Sequence, residues 1–119
     1  MRPIGNHIQA AILRAIATIV ETDMSDRVKP TLIVEAMQST DWASATFVGA
    51  IHRIDIRLDG TALDVDRAML RLASRIADCD IPIAGHIVAE IKLETHLRTD
   101  MDCNIVAQSL TVNALTIVD

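Results

Sequence analysis

Rings are nearly absent from this chain: one tryptophan, one phenylalanine and no tyrosine in 119 residues. Half of the residues are nonetheless hydrophobic, so the chain is no disordered segment, and its core must be built from Ile, Leu, Val, Ala and Met. The same scarcity argues against a nucleic-acid module that stacks bases on exposed rings. Basic residues are in the minority, 11 Lys and Arg against 16 Asp and Glu, for a formal net charge of −5. General DNA binding needs a basic field and is disfavoured. No apolar run approaches the roughly 20 residues that a membrane-spanning helix requires. The N-terminus carries Arg2 but no long apolar stretch and no cleavage-site pattern, so no signal peptide is expected. The two cysteines, Cys79 and Cys103, are expected as free thiols in a reducing cytosol rather than a disulfide. A chain of this length is expected to form a single domain, 1–119.

What is present is periodicity. Asn6 and Gln9 make a capping-box pattern. Ile8, Ala11, Ile12, Ala15, Ile16, Ile19 and Val20 then recur at helical spacing, with Gln9, Arg14, Thr18 and Glu21 largely outside the stripe. The helix is expected to end near Glu21, before a polar stretch from Thr22 to Lys29. After Pro30 a strand is expected over Thr31–Gln38, with Leu32, Val34 and Ala36 on one face and Ile33, Glu35 and Met37 on the other. Gln38-Ser39-Thr40-Asp41 has turn chemistry. A long extended segment follows from Ala45 to Leu58, with Ile54, Ile56 and Leu58 inward and Arg53, Asp55 and Arg57 outward. Gly49 inside it suggests a bulge or bend.

Asp59-Gly60-Thr61 reads as a turn, and a second helix as Leu63 to Ala77, capped by Asp64, with Val65, Met69, Leu72, Ala73 and Ile76 buried. Asp80 and Pro82 stop that helix, and Gly85 gives a permissive backbone point before the next strand. There Ile87, Ala89, Ile91 and Leu93 alternate with Glu90, Lys92 and Glu94 to about Leu97. Arg98 to Asn104 reads as a polar loop. The last strand, Ile105–Val118, places Leu110, Val112, Ala114, Thr116 and Val118 on one face. The expected fold is a two-layer α+β domain of order α-β-β-α-β-β: a four-stranded, mainly antiparallel sheet with two helices packed on one face.

Chemistry is sparse. His7, His52, His86 and His96 lack zinc-motif spacing, and His52, on the inward parity of its strand, reads as a structural histidine, as does His86, with Glu90 loosely on its face. No serine lies in a nucleophile elbow. The four glycines are scattered and make no phosphate-cradling loop. The pairs Asp78/Asp80 and Asp100/Asp102 read as turn residues. No catalytic, metal or cofactor site is expected, and no enzymatic activity.

Two surfaces remain. Arg67, Arg71 and Arg75 form a basic ridge, read either as a solvated helix face partly paired with Asp64 and Asp78 or as a contact surface for an acidic neighbour. Phe47-Val48-Gly49-Ala50-Ile51 is apolar on both faces. It is either an interior strand covered twice or a subunit interface.

Asp41-Trp42, Gly49-Ala50-Ile51-His52-Arg53-Ile54, the Ala- and Arg-rich helix around Ala68 to Ala77, and Ile83-Ala84-Gly85-His86-Ile87-Val88 occur in an order and at spacings that resemble the tail-completion, or tail-terminator, proteins of long-tailed phages and gene transfer agents. The resemblance covers about the last two thirds of the chain. The sequence departs from that pattern in the short, aromatic-free Asp23–Pro30 segment and where Leu58 leads directly to Asp59-Gly60. The resemblance implies a structural virion protein, assembled in the bacterial host cytoplasm and located at the head–tail interface. It implies a ring of copies of the chain, typically a hexamer, that stops the tail tube. Partners would be the tail tube protein and the head connector or stopper. DNA would pass through the channel without sequence-specific binding, and no membrane would be involved. Phe47, Val48, Gly49 and Ile51, with Arg67, Arg71 and Arg75, are then the candidate interface residues. Another head–tail connector protein such as a stopper, or a small cytosolic ligand-binding or enzymatic α+β domain, stands as the alternative.

Overall fold

The computed structural model describes residues 6–21 and 30–119. The expected cap at Asn6 and the polar stretch Thr22–Lys29 therefore lie outside the described side chains. Helix α1 spans Asn6–Glu21, strand β1 Thr31–Ala43, β2 Val48–Thr61, helix α2 Ala62–Arg75, a 3₁₀ turn Ile76–Asp78, β3 His86–Asp102 and β4 Ile105–Val118. The strands form one sheet in the order β1-β2-β4-β3, with every neighbouring pair antiparallel. This is the expected α-β-β-α-β-β architecture.

Both helices bury their stripes against one sheet face. Ile8, Ile12, Ile16 and Val20 of α1 and Val65, Ala68 and Leu72 of α2 meet Ile54, Ile56 and Leu58 of β2 and Leu110, Val112 and Ala114 of β4. The core is aliphatic throughout. In α2, Met69 is only half-buried and Ala73 exposed, while Ala68 takes the buried position.

Several local expectations yield to strand pairing. Gln38–Asp41 is not a turn: β1 continues to Ala43, and its polar side chains find partners across the ladder, as Ser39 does with His52. The turn lies at Ser44–Phe47, where Ser44 N–H donates to the Phe47 carbonyl at 2.8 Å and the Ser44 hydroxyl accepts the Phe47 N–H at 3.1 Å. Asp59-Gly60-Thr61 also stays in the sheet, each residue paired with β4. Thr61, not Asp64, caps α2: its hydroxyl accepts the Asp64 N–H at 3.2 Å. The expected Arg98–Asn104 loop is mostly strand. The hairpin turns on Cys103 and Asn104 alone, both at positive φ (44° and 71°), the geometry that matches the twist of flanking strands.

Two bulges reassign faces. Between Val34 and Ala36 the register shifts, so Met37 joins Leu32 and Val34 on the helix side while Ala36 turns to the open face. Between Val88 and Glu90 a second shift puts Ile87 on the open face with Glu90, and Val88 with Ile91 on the helix side. His86 thus faces the helices and is separated from Glu90. The alternating patterns either side of each bulge are correct, but one extra residue inverts everything beyond it.

Gly49 causes no bulge. β2 pairs regularly on both sides there, and glycine is required for a different reason: a Cβ at this position would stand 1.8 Å from the Thr116 carbonyl oxygen. Gly85, at φ +76°, closes the tight turn in which the His86 N–H donates to the Ile83 carbonyl at 3.1 Å.

Candidate assembly interface

The β2 and β4 strands run for 14 residues each, about 46 Å at strand rise. Helix α1, with 16 residues, covers about 24 Å. The sheet therefore outreaches its helical cover, and the described residues measure 51 × 26 × 23 Å. At the β1–β2 hairpin end the described residues leave apolar side chains exposed. Phe47 lies in the turn rather than the strand, and it, Val48 and Ile51 are exposed although β2 is a central strand. Among the described residues, nothing covers the double-sided apolar segment a second time.

Register shows what surrounds it. Trp42, Gly49, Ile117 and Ile87 form one row across the open sheet face, and Thr40, Ile51, Leu115 and Glu90 the next. This end of the open face is thus an apolar surface bordered by the exposed tip. Trp42, Leu115, Ile117 and Ile87 are not among the candidate interface residues read from the sequence, because cross-strand register, which no single segment encodes, is what brings them together. At the opposite end, exposed Leu63, Met101 and Ile105 make a second, different apolar patch beside the β3–β4 turn.

The middle of the open face is polar and internally satisfied. Asp55 accepts from the Thr111 hydroxyl at 2.7 Å and from Arg53 at 3.1 Å. Thr111 in turn accepts the Nε2–H of His96 at 2.8 Å. The Thr111 hydrogen bond, then Arg53 and His96, hold the Asp55 carboxyl below its ordinary range. Arg57 grips Asp59 with two hydrogen bonds, 2.8 and 3.0 Å, and lies 3.7 Å from Glu35. Lys92 lies 3.7 Å from Glu90.

The arginine ridge is elsewhere, on the helix layer. Arg67 and Arg75 are exposed; Arg71 is drawn inward, and its Nη1 is buried without a hydrogen-bond partner. The structure does not bring this ridge together with the hairpin tip.

On the helix side, a polar chain crosses the layers. Gln9, expected outside the apolar stripe, is buried and donates to Ser39 Oγ at 2.8 Å; Ser39 Oγ lies 2.7 Å from His52 Nδ1, and His52 Nε2 lies 2.9 Å from Thr116 Oγ1. One neutral tautomer satisfies every atom, with the Ser39 hydroxyl donating to Nδ1 and Nε2–H donating to Thr116. Burial, then the nearby His86, lowers the His52 pKa. The Ser39–His52 pair borders a cleft of about 820 Å³ that His7, Asp41, Trp42 and His86 also line. Thr116, a neutral hydroxyl, occupies the place where a carboxylate would orient a catalytic histidine. Among the described residues no three His, Cys, Asp or Glu side chains converge as metal ligands. Cys79 and Cys103 are free thiols. No helix among the described residues is long and apolar enough to cross a membrane.

Among solved structures, a chain of the virion of the native gene transfer agent (GTA) particle superposes with a TM-score of 0.68 at 14% sequence identity, over 98% of this chain and 99% of that one. The two chains share a fold. No protein-family model and no curated protein matches the sequence.

Proposed function

We propose that this chain is a structural virion protein that ends a tail tube and joins it to the head connector, acting as a ring of copies of itself. The observation that carries this reading is the fold shared end to end with a chain of a gene transfer agent virion. It converges with the tail-terminator-like pattern running from about Asp41 to the end of the chain.

The surfaces suit the role. A ring seated between two different partners needs two different axial faces, and lateral contacts that are heterologous and close on themselves. The exposed tip around Phe47, Val48 and Ile51, and the Leu63–Met101–Ile105 patch at the other end, supply two unlike apolar faces of the kind that mark contact sites. Gly49 allows β2 to approach the Thr116 carbonyl of β4 closely at the tip. The exposed Arg67 and Arg75, flanking the half-buried Arg71, give a further contact ridge for an acidic neighbour. On the open face, Arg53, Arg57 and Lys92 each lie beside a carboxylate of the same face, an arrangement that leaves little basic field to hold passing DNA. The tail tube protein, the head connector or stopper and further copies of this chain are the partners; the ring, read as a hexamer, sits at the head–tail interface.

The test is binding to isolated tail tubes. Labelled protein is expected at one tube end only, as a multimer by native mass measurement. Binding along the whole tube, or none with the protein monomeric throughout, contradicts the proposal.

A further inference from the structure

We infer that the copies of this chain join edge to edge, β1 of one subunit pairing antiparallel with β3 of the next, so that the sheets run on from subunit to subunit. This rests on the ring reading above and specifies its lateral contact.

The sheet has two free edges, β1 and β3. They are long, 13 and 17 residues, contain no proline, and have no described strand on their outer sides. Such edges are templates for pairing unless protected. Bulges at Val88/Glu90, Thr95/Arg98 and Asp100/Asp102 blunt much of β3, but Glu90–Thr95 stays regular, as does Ala36–Ala43 of β1.

Strand direction selects the partner. β1 opposes β2, β2 opposes β4 and β4 opposes β3, so the two edges run in opposite directions. Copies related by rotation about an axis along the strands keep one polarity. The β3 edge of one then meets the β1 edge of the next in the antiparallel sense, and the pattern repeats without interruption. Pairing β1 with β1 about a two-fold would leave both β3 edges unused.

Side chains fit the same arrangement. Met37, Ile54, Val112 and Leu93 lie on one row of the helix side, so the continued row sets exposed Met37 of one copy beside half-buried Leu93 of the next. On the open face, the continued rows set Ala36, Gln38 and Thr40 beside Glu94, Lys92 and Glu90. None of the three β1 residues is charged, so no like charges oppose one another. Strand tilt in a closed wall displaces these rows along the strands but does not change the edges that meet.

The test is site-directed cross-linking. In a Cys79→Ser, Cys103→Ser background, Gln38→Cys and Lys92→Cys are placed in separate chains. Each is concentrated until the protein is multimeric, alone or mixed, and treated with a short bis-maleimide. The expected result is dimers from the mixture, a ladder up to the full ring from a chain carrying both cysteines, and no cross-link from either variant alone. Cross-linking of Gln38→Cys alone overturns the proposal in favour of β1–β1 pairing. Multimers that form without cross-links in any arm overturn the edge contact while leaving the ring intact. A parent protein that stays monomeric both when concentrated and on tail tubes overturns the ring and this contact together.

Discussion

Ser39 Oγ and His52 Nδ1 lie 2.7 Å apart, joining an edge strand to the central strand beneath helix α1. With Gln9 and Thr116 they complete a chain of neutral hydrogen bonds in which His52 is held uncharged. Its folded-state pKa lies below the ordinary 6.5, so below that pH the unfolded chain binds the extra proton and the folded one resists it. Stability contributed by the neutral ring is full above about pH 7 and is lost as pH falls through 6.5. The loss begins as pH falls below 6.5 and grows until the lowered folded-state pKa is passed. Denaturant midpoints at pH 8 and 5.5 measure it, and His52→Gln is expected to fall less between the two pH values than the parent.

Gly49 faces the Thr116 carbonyl with no room for a methyl group. The obstacle is backbone on a paired strand, which cannot swing aside as a side chain would. Gly49→Ala is expected to cost about 1–3 kcal/mol or more, the range for forced overpacking, read as a lowered denaturation midpoint.

Cys103 occupies the first of two left-handed turn positions, at φ 44°. A side chain that tolerates this region stabilises the hairpin. Cys103→Asn is expected to raise stability by about 0.5–1 kcal/mol and to remove an exposed thiol. Thermal unfolding under reducing conditions isolates the backbone effect.

Ile51 is exposed on the open face beside Trp42 and Leu115, away from the helix-side core. Ile51→Glu is expected to leave the unfolding midpoint within about 0.5 kcal/mol of the parent while abolishing multimer formation or tube binding. A variant that unfolds instead places Ile51 in ordinary core packing.

Much of the architecture is legible in the sequence because burial is written as period. The stripe from Ile8 to Val20 and the alternation Ile54-Ile56-Leu58 have one reading each, and both hold. The inward parity of His52 is equally plain. Register is different. Nothing near Glu35 or Ala89 announces an extra residue, since an apolar–polar alternation looks the same on either side of it; Met37 and Ile87 therefore change faces unannounced. Turn propensity misleads where ladder bonds are stronger. Gln38–Asp41 and Asp59–Thr61 have turn chemistry, yet their backbone groups are satisfied by β2 and β4. The apolar end of the open face is assembled by three strand pairings from residues 42 to 117, so it emerges only with the fold.

The proposed role, ending a tail tube and coupling it to the head, has a direct consequence for particle assembly. The most direct measurement is tail length and head attachment, by electron microscopy, in particles made with and without the chain. Without it, tubes of uncontrolled length unattached to heads are expected, with normal particles restored by supplying the protein. Tails of normal length joined to filled heads in its absence would contradict the claim.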